Sequence, residues 1–308
     1  MRLNFWLTGV LLLAGAASAA EESSEHLRFV EDDDGSARLE TVVVKMTGPD
    51  GEKVDLVGAV HVADAAYFEA LNGRFKGYDA VLYELVGSPE KGNPLGNRAV
   101  AKDARLSWIG NLQQKMKETL KLESQLEKID YTAANFVHAD MAMEEFQKSQ
   151  ETHQETFLGL WLKAMAAQQS AGGTAAGNDL AGVIVLLQIL MKKDSADDLK
   201  RLIGREFDQV EAVMSGLEAG GGTVIIGERN RVALEVLEKE IASGKKRLAI
   251  FYGAGHFPDM QKRLEAKGFK RTGSEWLAAW RIPAPAPEQK ERAKAKVKAK
   301  AKAKEVVK

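Results

Sequence analysis

Apolar and polar side chains alternate from Ala37 to Met46 around a β-branched centre, Thr41–Val44, and again over Lys53–Val60 through Val54, Leu56 and Val57. Between the two runs lies Gly-Pro-Asp-Gly at 48–51, so the pattern predicts a β-hairpin. From Asp64 the period changes. Tyr67, Leu71 and Phe75 recur at helical spacing, and Gly77 marks a stop before an apolar strand over Asp79–Val86. A second series closes the chain, with a strand at Val-Ile-Ile-Gly (224–227), a helix over Asn230–Ile241, a strand over Arg247–Tyr252, a helix over Pro258–Lys267 and a terminal strand pair ending near Ile282. This alternation predicts an α/β fold with a mixed, partly parallel sheet.

The texture differs from about residue 97 to 218. Long charged and alanine-rich stretches, Leu106–Lys128, Met141–Gln169, Leu180–Lys193 and Ala196–Leu217, read as a large helical insertion, with Ser170–Asn178 as a loop and Gly220–Gly222 marking the return to the sheet. The run Leu180–Met191 is apolar on every side, but its twelve residues fall short of the ~20 that cross a bilayer, so a buried helix is expected.

Composition narrows the chemistry. The 308 residues include no cysteine, which removes disulfides, thiolate metal sites and a cysteine nucleophile, and any metal would rest on His, Asp or Glu. Residues 1–20 carry an early Arg2, an apolar stretch from Phe5 to Ala14 and small residues Ala17, Ser18 and Ala19, the pattern of a secretory signal peptide. A periplasmic or secreted protein is therefore expected, with its folded domain over 21–287. The net charge of −1 hides an asymmetry: Glu288–Lys308 holds nine Lys/Arg against three Glu, or +6, and with Arg2 set aside Glu21–Pro287 carries −8. An acidic body does not suit specific nucleic-acid binding. The alternating lysines of 288–308 follow Pro-Ala-Pro-Ala-Pro and read as a disordered tail, either simply solvated or held electrostatically to an anionic envelope surface.

One element occurs twice. Val57–Asp64 (VGAVHVAD) and Tyr252–Asp259 (YGAGHFPD) match as G-A-x-H-x-x-D, each at a strand-turn-helix junction. The sheet is thus expected to contain two pseudo-repeated strand-GxxH-helix-strand units. Asp64 and Asp259 suit helix capping or the positive helix end, and Pro258 suits a first helical turn. A turn at the carboxyl edge of a parallel sheet is where open α/β folds place ligands, so His61 and His256 are candidate functional groups at one edge. Glu84 ends a strand that should be buried and needs a partner: His61, a metal ion or an arginine. Glu228 and Arg229 follow Val-Ile-Ile-Gly and open the next helix, as site residues or as a structural ion pair. Of the other histidines, His26 and His153 are expected at the surface, and His138 is expected to pack beside Asp140, which can cap a helix starting at Met141.

Taken in order, GAVH, YELV, GERN and GAGH resemble the TraB/PrgY/GumN family, whose wider group includes the Tiki proteases, erythromycin esterase and haem-binding ChaN proteins. The resemblance covers about Val54–Val86 and Thr223–Ile282, with Phe136–Met141 (FVHADM) similar to a segment of some bacterial members. It implies an exported α/β protein with a Tiki-like site at His61, Glu84, Glu228, Arg229 and His256, and divalent-metal-dependent peptidase activity. The chain lacks the animal proteases' cysteines and membrane anchor.

Imidazole and carboxylate together can hold manganese, cobalt or zinc and activate a bound water. His61, Glu84 and His256 are the candidate ligands, Glu228 a fourth ligand or general base, and Arg229 a group for an oxyanion or a substrate carboxylate. There is no His-Glu-x-x-His, no Gly-x-Ser-x-Gly and no nucleotide fingerprint. A metal-free alternative makes His61 a general base oriented by Glu84. The expected function is an exported hydrolase, a peptidase or amidase acting on a peptide or small molecule. The competing readings are a non-catalytic protein that sequesters a peptide signal or haem, and an envelope factor acting through its basic tail.

Overall fold

The computed structural model describes residues 25–87, 107–152, 196–205 and 224–285. The predicted signal segment, the Ser170–Asn178 loop, the apolar run Leu180–Met191, His153 and the basic tail lie outside them. Among the described residues no helix is long and apolar enough to cross a membrane.

The chain opens with β1 (Leu27–Glu31), β2 (Ala37–Thr47) and β3 (Lys53–Ala59). β2 and β3 form the expected hairpin, with Val43 opposite Val57 and the turn closed by Gly48 N–H to Glu52 O and Gly51 N–H to Gly48 O. Gly51 sits at φ 81°, a left-handed conformation that glycine adopts without steric cost. A short β4 (Val62–Ala63) leads to α1 (Ala65–Phe75) and β5 (Ala80–Tyr83). There follow α2 (Ser107–Leu120), β6 (Glu123–Ser124), α3 (Gln125–Lys128), β7 (Phe136–His138), α4 (Met143–Thr152) and α5 over 196–205. A π-helical turn, Val224–Glu228, runs into α6 (Arg229–Ala242), and β8 (Arg247–Gly253), a 3-10 turn at Ala254–His256, α7 (Phe257–Ala266) and β9 (Lys270–Ile282) complete the fold.

The sheet is mixed, as expected for this α/β chain. β3, β8, β5 and β7 lie side by side and parallel, whereas β1, β2 and β9 are antiparallel additions. β9 follows one edge of β2 for its whole length, and β1 and β3 share the other edge, as the partners of Thr41 (Leu27 and Leu277) and Val43 (Val57 and Glu275) show. β8 reads Leu-Ala-Ile-Phe-Tyr and is buried on both faces, the continuous apolar signature of a central parallel strand. Its side chains divide by parity: Ala249 and Phe251 pack towards α1 with Tyr67, Phe68, Leu71 and Phe75, while Leu248, Ile250 and Tyr252 pack towards α6 and α7. Each large side chain so buried contributes about 1.5–3 kcal/mol.

Four sequence expectations change. Val-Ile-Ile-Gly at 224–227 is not a strand but part of the π-helical turn, because its β-branched preference is overridden by the tertiary position that feeds α6. The terminal strand pair is one 13-residue strand, β9, whose turn-like Gly273 lies inside the ladder with β2; register shifts absorb the irregularity. Within the region read as a helical insertion, Phe136–His138 is a strand of the main sheet, in register with Val81–Tyr83. The helix expected over Leu106–Lys128 breaks at Lys121, which has φ 53°.

Candidate functional site

The parallel strands fix the site's position. β3 pairs with β8 through Gly58 opposite Tyr252 and Ala59 opposite Gly253, so the two G-A-x-H segments leave neighbouring strands at one sheet edge, offset by a single residue. β5 and β7 end at the same edge, placing Glu84 and Asp140 just beyond Tyr83 and His138. Four chain segments distant in sequence thus converge at the carboxyl ends of parallel strands, the usual location of ligands in open α/β sheets.

The glycines of the two segments have different reasons to be small. A Cβ on Gly58 would lie 2.9 Å from Val42 O, and Tyr67 Oη donates to Gly58 O at 2.6 Å. Tyr67 has one hydroxyl proton, so Thr41 Oγ1 donates to it in turn at 3.0 Å. At Gly253 the requirement concerns the site itself: its N–H donates to Glu84 Oε2 at 2.7 Å.

Glu84 finds the arginine partner its burial demands. Arg229 Nη2 donates to Glu84 Oε1 at 2.7 Å and to Asp140 Oδ2 at 2.6 Å, and Nε donates to Asp140 Oδ1 at 2.9 Å. The forked contact with Asp140 and the shared Nη2 make a carboxylate–guanidinium–carboxylate chain, a strong arrangement because both hydrogen-bond partners are charged. Nη1 has no partner among the described residues. Burial alone would raise the Glu84 pKa. The charges of Arg229, His256 and His61 and the Gly253 N–H outweigh it and hold the carboxyl well below its ordinary range. Arg229 is likewise held protonated: burial opposes its charge, but Asp140 and Glu84 more than compensate.

His256 is buried at the start of α7, and its tautomer is set by Asn230. Asn230 Nδ2 donates to His256 O at 3.1 Å and to Asp259 Oδ2 at 2.8 Å, which fixes the amide orientation and turns Oδ1 towards His256 Nδ1 at 2.6 Å. Nδ1 therefore carries the proton and donates. Burial, against the opposing pull of Glu84, lowers the His256 pKa to about 4, so the ring is neutral at pH 7 and Nε2 is an unprotonated acceptor. Nε2 lies 3.7 Å from Glu84 Oε1. Both atoms are acceptors, so no direct hydrogen bond joins them. Tyr252 stacks edge-on against the His256 ring at 5.1 Å between centroids, and its hydroxyl donates to Ala139 O.

The other expected residues are placed as follows. His61 is exposed, and its main-chain oxygen accepts from Gln125 N at 2.9 Å. Glu228 is not brought to this cluster; it accepts from Arg231 Nε at 3.1 Å at the surface. The ion pair considered for Glu228 and Arg229 is thus divided, Glu228 pairing with Arg231 and Arg229 with Glu84 and Asp140. The motif aspartates make no side-chain helix caps but stand at the positive helix ends, Asp64 just before α1 and Asp259 in the first turn of α7; Asp64 accepts from Arg281 N at 2.6 Å and Lys200 Nζ at 3.2 Å, and Asp259 from Asn230 and, one helical turn on, from Arg263 Nε at 2.7 Å. Pro258 does occupy the first turn of α7. His138 Nε2 bonds Leu85 O at 2.7 Å, a structural contact. His26, expected at the surface, is buried edge-on against Phe257 at 5.9 Å, because the register of β1 with β2 carries the residue before it inward. Asp140 and Asn230 are the site residues the sequence reading left as a helix cap or did not single out. Their signals were the Asp of FVHADM and the final letter of GERN.

Among the described residues, no three His, Asp or Glu side chains converge to hold a metal ion. Both Glu84 oxygens accept hydrogen bonds, His256 Nδ1 is held by Asn230, and the Arg229 guanidinium supplies the positive charge beside the carboxylates. No protein-family profile matches the chain, and no curated protein shows significant similarity to it.

Proposed function

We propose that the protein is an exported hydrolase of the TraB/PrgY/GumN type, cleaving peptide or amide bonds with water activated by His256. The reading is supported above all by one feature: Asn230 holds the neutral imidazole with its bare Nε2 directed at the Glu84–Arg229 pair. In the reaction water adds to the carbonyl carbon while Nε2 takes its proton. The carbonyl oxygen becomes an oxyanion within reach of the uncommitted Arg229 Nη1, and the C–N bond then breaks as the proton on Nε2 passes to the leaving amine. Glu84 stabilises the imidazolium formed in between, and exposed His61 stands at the entrance, where substrate arrives. The two G-A-x-H segments are read as halves of a pseudo-repeat, with the periplasm or extracellular space as the site of action.

The test is hydrolysis of a fluorogenic peptide and amide library by the purified protein, with chelator and with added manganese, cobalt or zinc. Chelator-resistant turnover that falls at least about 100-fold in His256→Gln, as loss of a general base predicts, supports the reading. Turnover only with added metal would return the site to the metal-dependent expectation, and no turnover of any member would refute the hydrolase.

A further inference from the structure

The end of α6 remote from the site borders a second feature. α6 begins at Arg229 and ends at Ala242, about 20 Å away at 1.5 Å per residue, where it meets the end of α7 and the β2–β3 turn. A groove of about 270 Å³ opens there, walled by Leu237, Ile241, Leu264 and Phe269 and floored by Glu52. Glu52 is 3% exposed. Its side chain folds back over the turn so closely that a Cβ on Gly48 would lie 2.1 Å from Glu52 Oε1. Among the described residues only the Glu52 main chain takes part in the turn's hydrogen bonds, and Oε2 is buried without a partner. Every other buried acid of the fold is matched: Glu40 by Arg28 and Arg38, and Asp140 by Arg229.

A buried carboxylate without a donor is costly, and such a group in a native fold calls for an explanation. The groove's charge states what would satisfy it. At the rim Lys267 pairs with Glu238, and the Glu52 carboxyl lies at the base of an apolar wall. We infer that this groove binds a small primary alkylammonium, its short hydrocarbon body lying along Leu237, Ile241 and Phe269 and its ammonium donating to Glu52. The volume suits a chain of a few carbons. The site is separate from the hydrolytic reading and does not depend on it.

The probe is n-butylammonium, titrated calorimetrically into the full chain at pH 7 with n-butanol and sodium chloride as controls. Saturable one-to-one binding is expected, at least tenfold weaker for n-butanol and in Glu52→Gln. Because Glu52→Gln alters a buried group, Ala242→Trp is the second variant. Ala242 is exposed at the groove's edge, so the indole should obstruct the groove, leave the fold intact and weaken binding at least tenfold. Absence of saturable binding, or equal affinity in wild type and both variants, overturns the assignment. Carbodiimide coupling supplies an independent reading: butylamine attached at Glu52 supports the free-amine site, whereas coupling of Glu52 to a lysine of 288–308 would give the groove to the chain's own tail and overturn it.

Discussion

At the residue scale, the behaviour of the site follows from one cation shared by two carboxylates. Arg229 is nearly enclosed, at 10% side-chain exposure, and Asp140 is fully enclosed, so neither charge can turn to water if the other is removed. Removing one partner of such a pair costs about 3–5 kcal/mol. Asp140→Ala is therefore expected to lower the stability measured by urea denaturation by that amount, while Glu228→Ala, which breaks only a surface contact with Arg231, should change it by less than about 1 kcal/mol. Equal losses would mean that the buried chain of charges does not hold the edge together. His256 adds a pH signature. Its folded pKa, about 4, lies below the ordinary 6.5, so the unfolded chain takes up that proton first as the pH falls. Stability should drop between about 6.5 and about 4, by on the order of 3 kcal/mol, and this contribution should level off below that range. Glu84 has linkage of the same sign in a lower window: its lowered pKa adds stability that is present above the ordinary carboxylate range and lost only as the pH falls through and below it. Denaturation curves at pH 7.5 and 5 isolate the histidine, because His256→Gln should flatten the dependence. A slope the substitution leaves untouched would place the titration elsewhere.

At the element scale, local pattern and tertiary demand part company at identifiable points. The hairpin, α1, β5, β8 and α7 were legible because apolar periodicity and turn residues agree there with the burial each element meets. Val224–Gly227 was not: its side chains favour a strand, but the chain must enter α6 with Arg229 aimed at Glu84, and a widened helical turn does that. Phe136–His138 was equally hidden, since three residues carry too little alternation to show a strand, and its role depends on pairing with β5, 55 positions earlier. Asp140 lost its signal for the same reason, being readable as a cap until β7 is placed. The two motif glycines make the distinction testable. Gly58→Ala puts a methyl against the Val42 carbonyl, backbone that cannot swing aside, and should destabilise by about 1–3 kcal/mol. Gly253→Ala meets the Glu84 carboxylate at 3.4 Å and the His256 ring at 3.8 Å, both ordinary contacts with site side chains, so it should disturb the site's activity more than its stability. A thermal melt of each variant, set against its peptide hydrolysis, separates the two roles.

For the whole molecule, the sequence conveyed the layers better than the strand order. An α/β sheet with helices on both faces follows from alternation alone, whereas the placing of β8 between β3 and β5 is set by which apolar strand can be covered on both sides. That order makes the site a junction between the molecule's most protected strand and one of its least. β8 has partners on both edges and apolar cover on both faces, while β7 is three residues long with β5 as its one partner in the sheet. Beyond that pairing β7 is held by the Asp140–Arg229 contact, the Tyr252 hydroxyl on Ala139 O, the His138 bond to Leu85 O and the packing of Phe136 on Phe75, Tyr83 and Tyr131. Local opening should therefore begin at β7 and stop at β8. In native-state hydrogen exchange, the β8 amides from Leu248 to Tyr252 should exchange only with global unfolding and Val137 earlier. Asp140→Ala should narrow the protection of Val137 further than its loss of global stability alone, with β8 following the global value. If β7 and β8 instead exchange together in both proteins, the edge strand is part of one cooperative unit and the buried ion pair is not what fastens it.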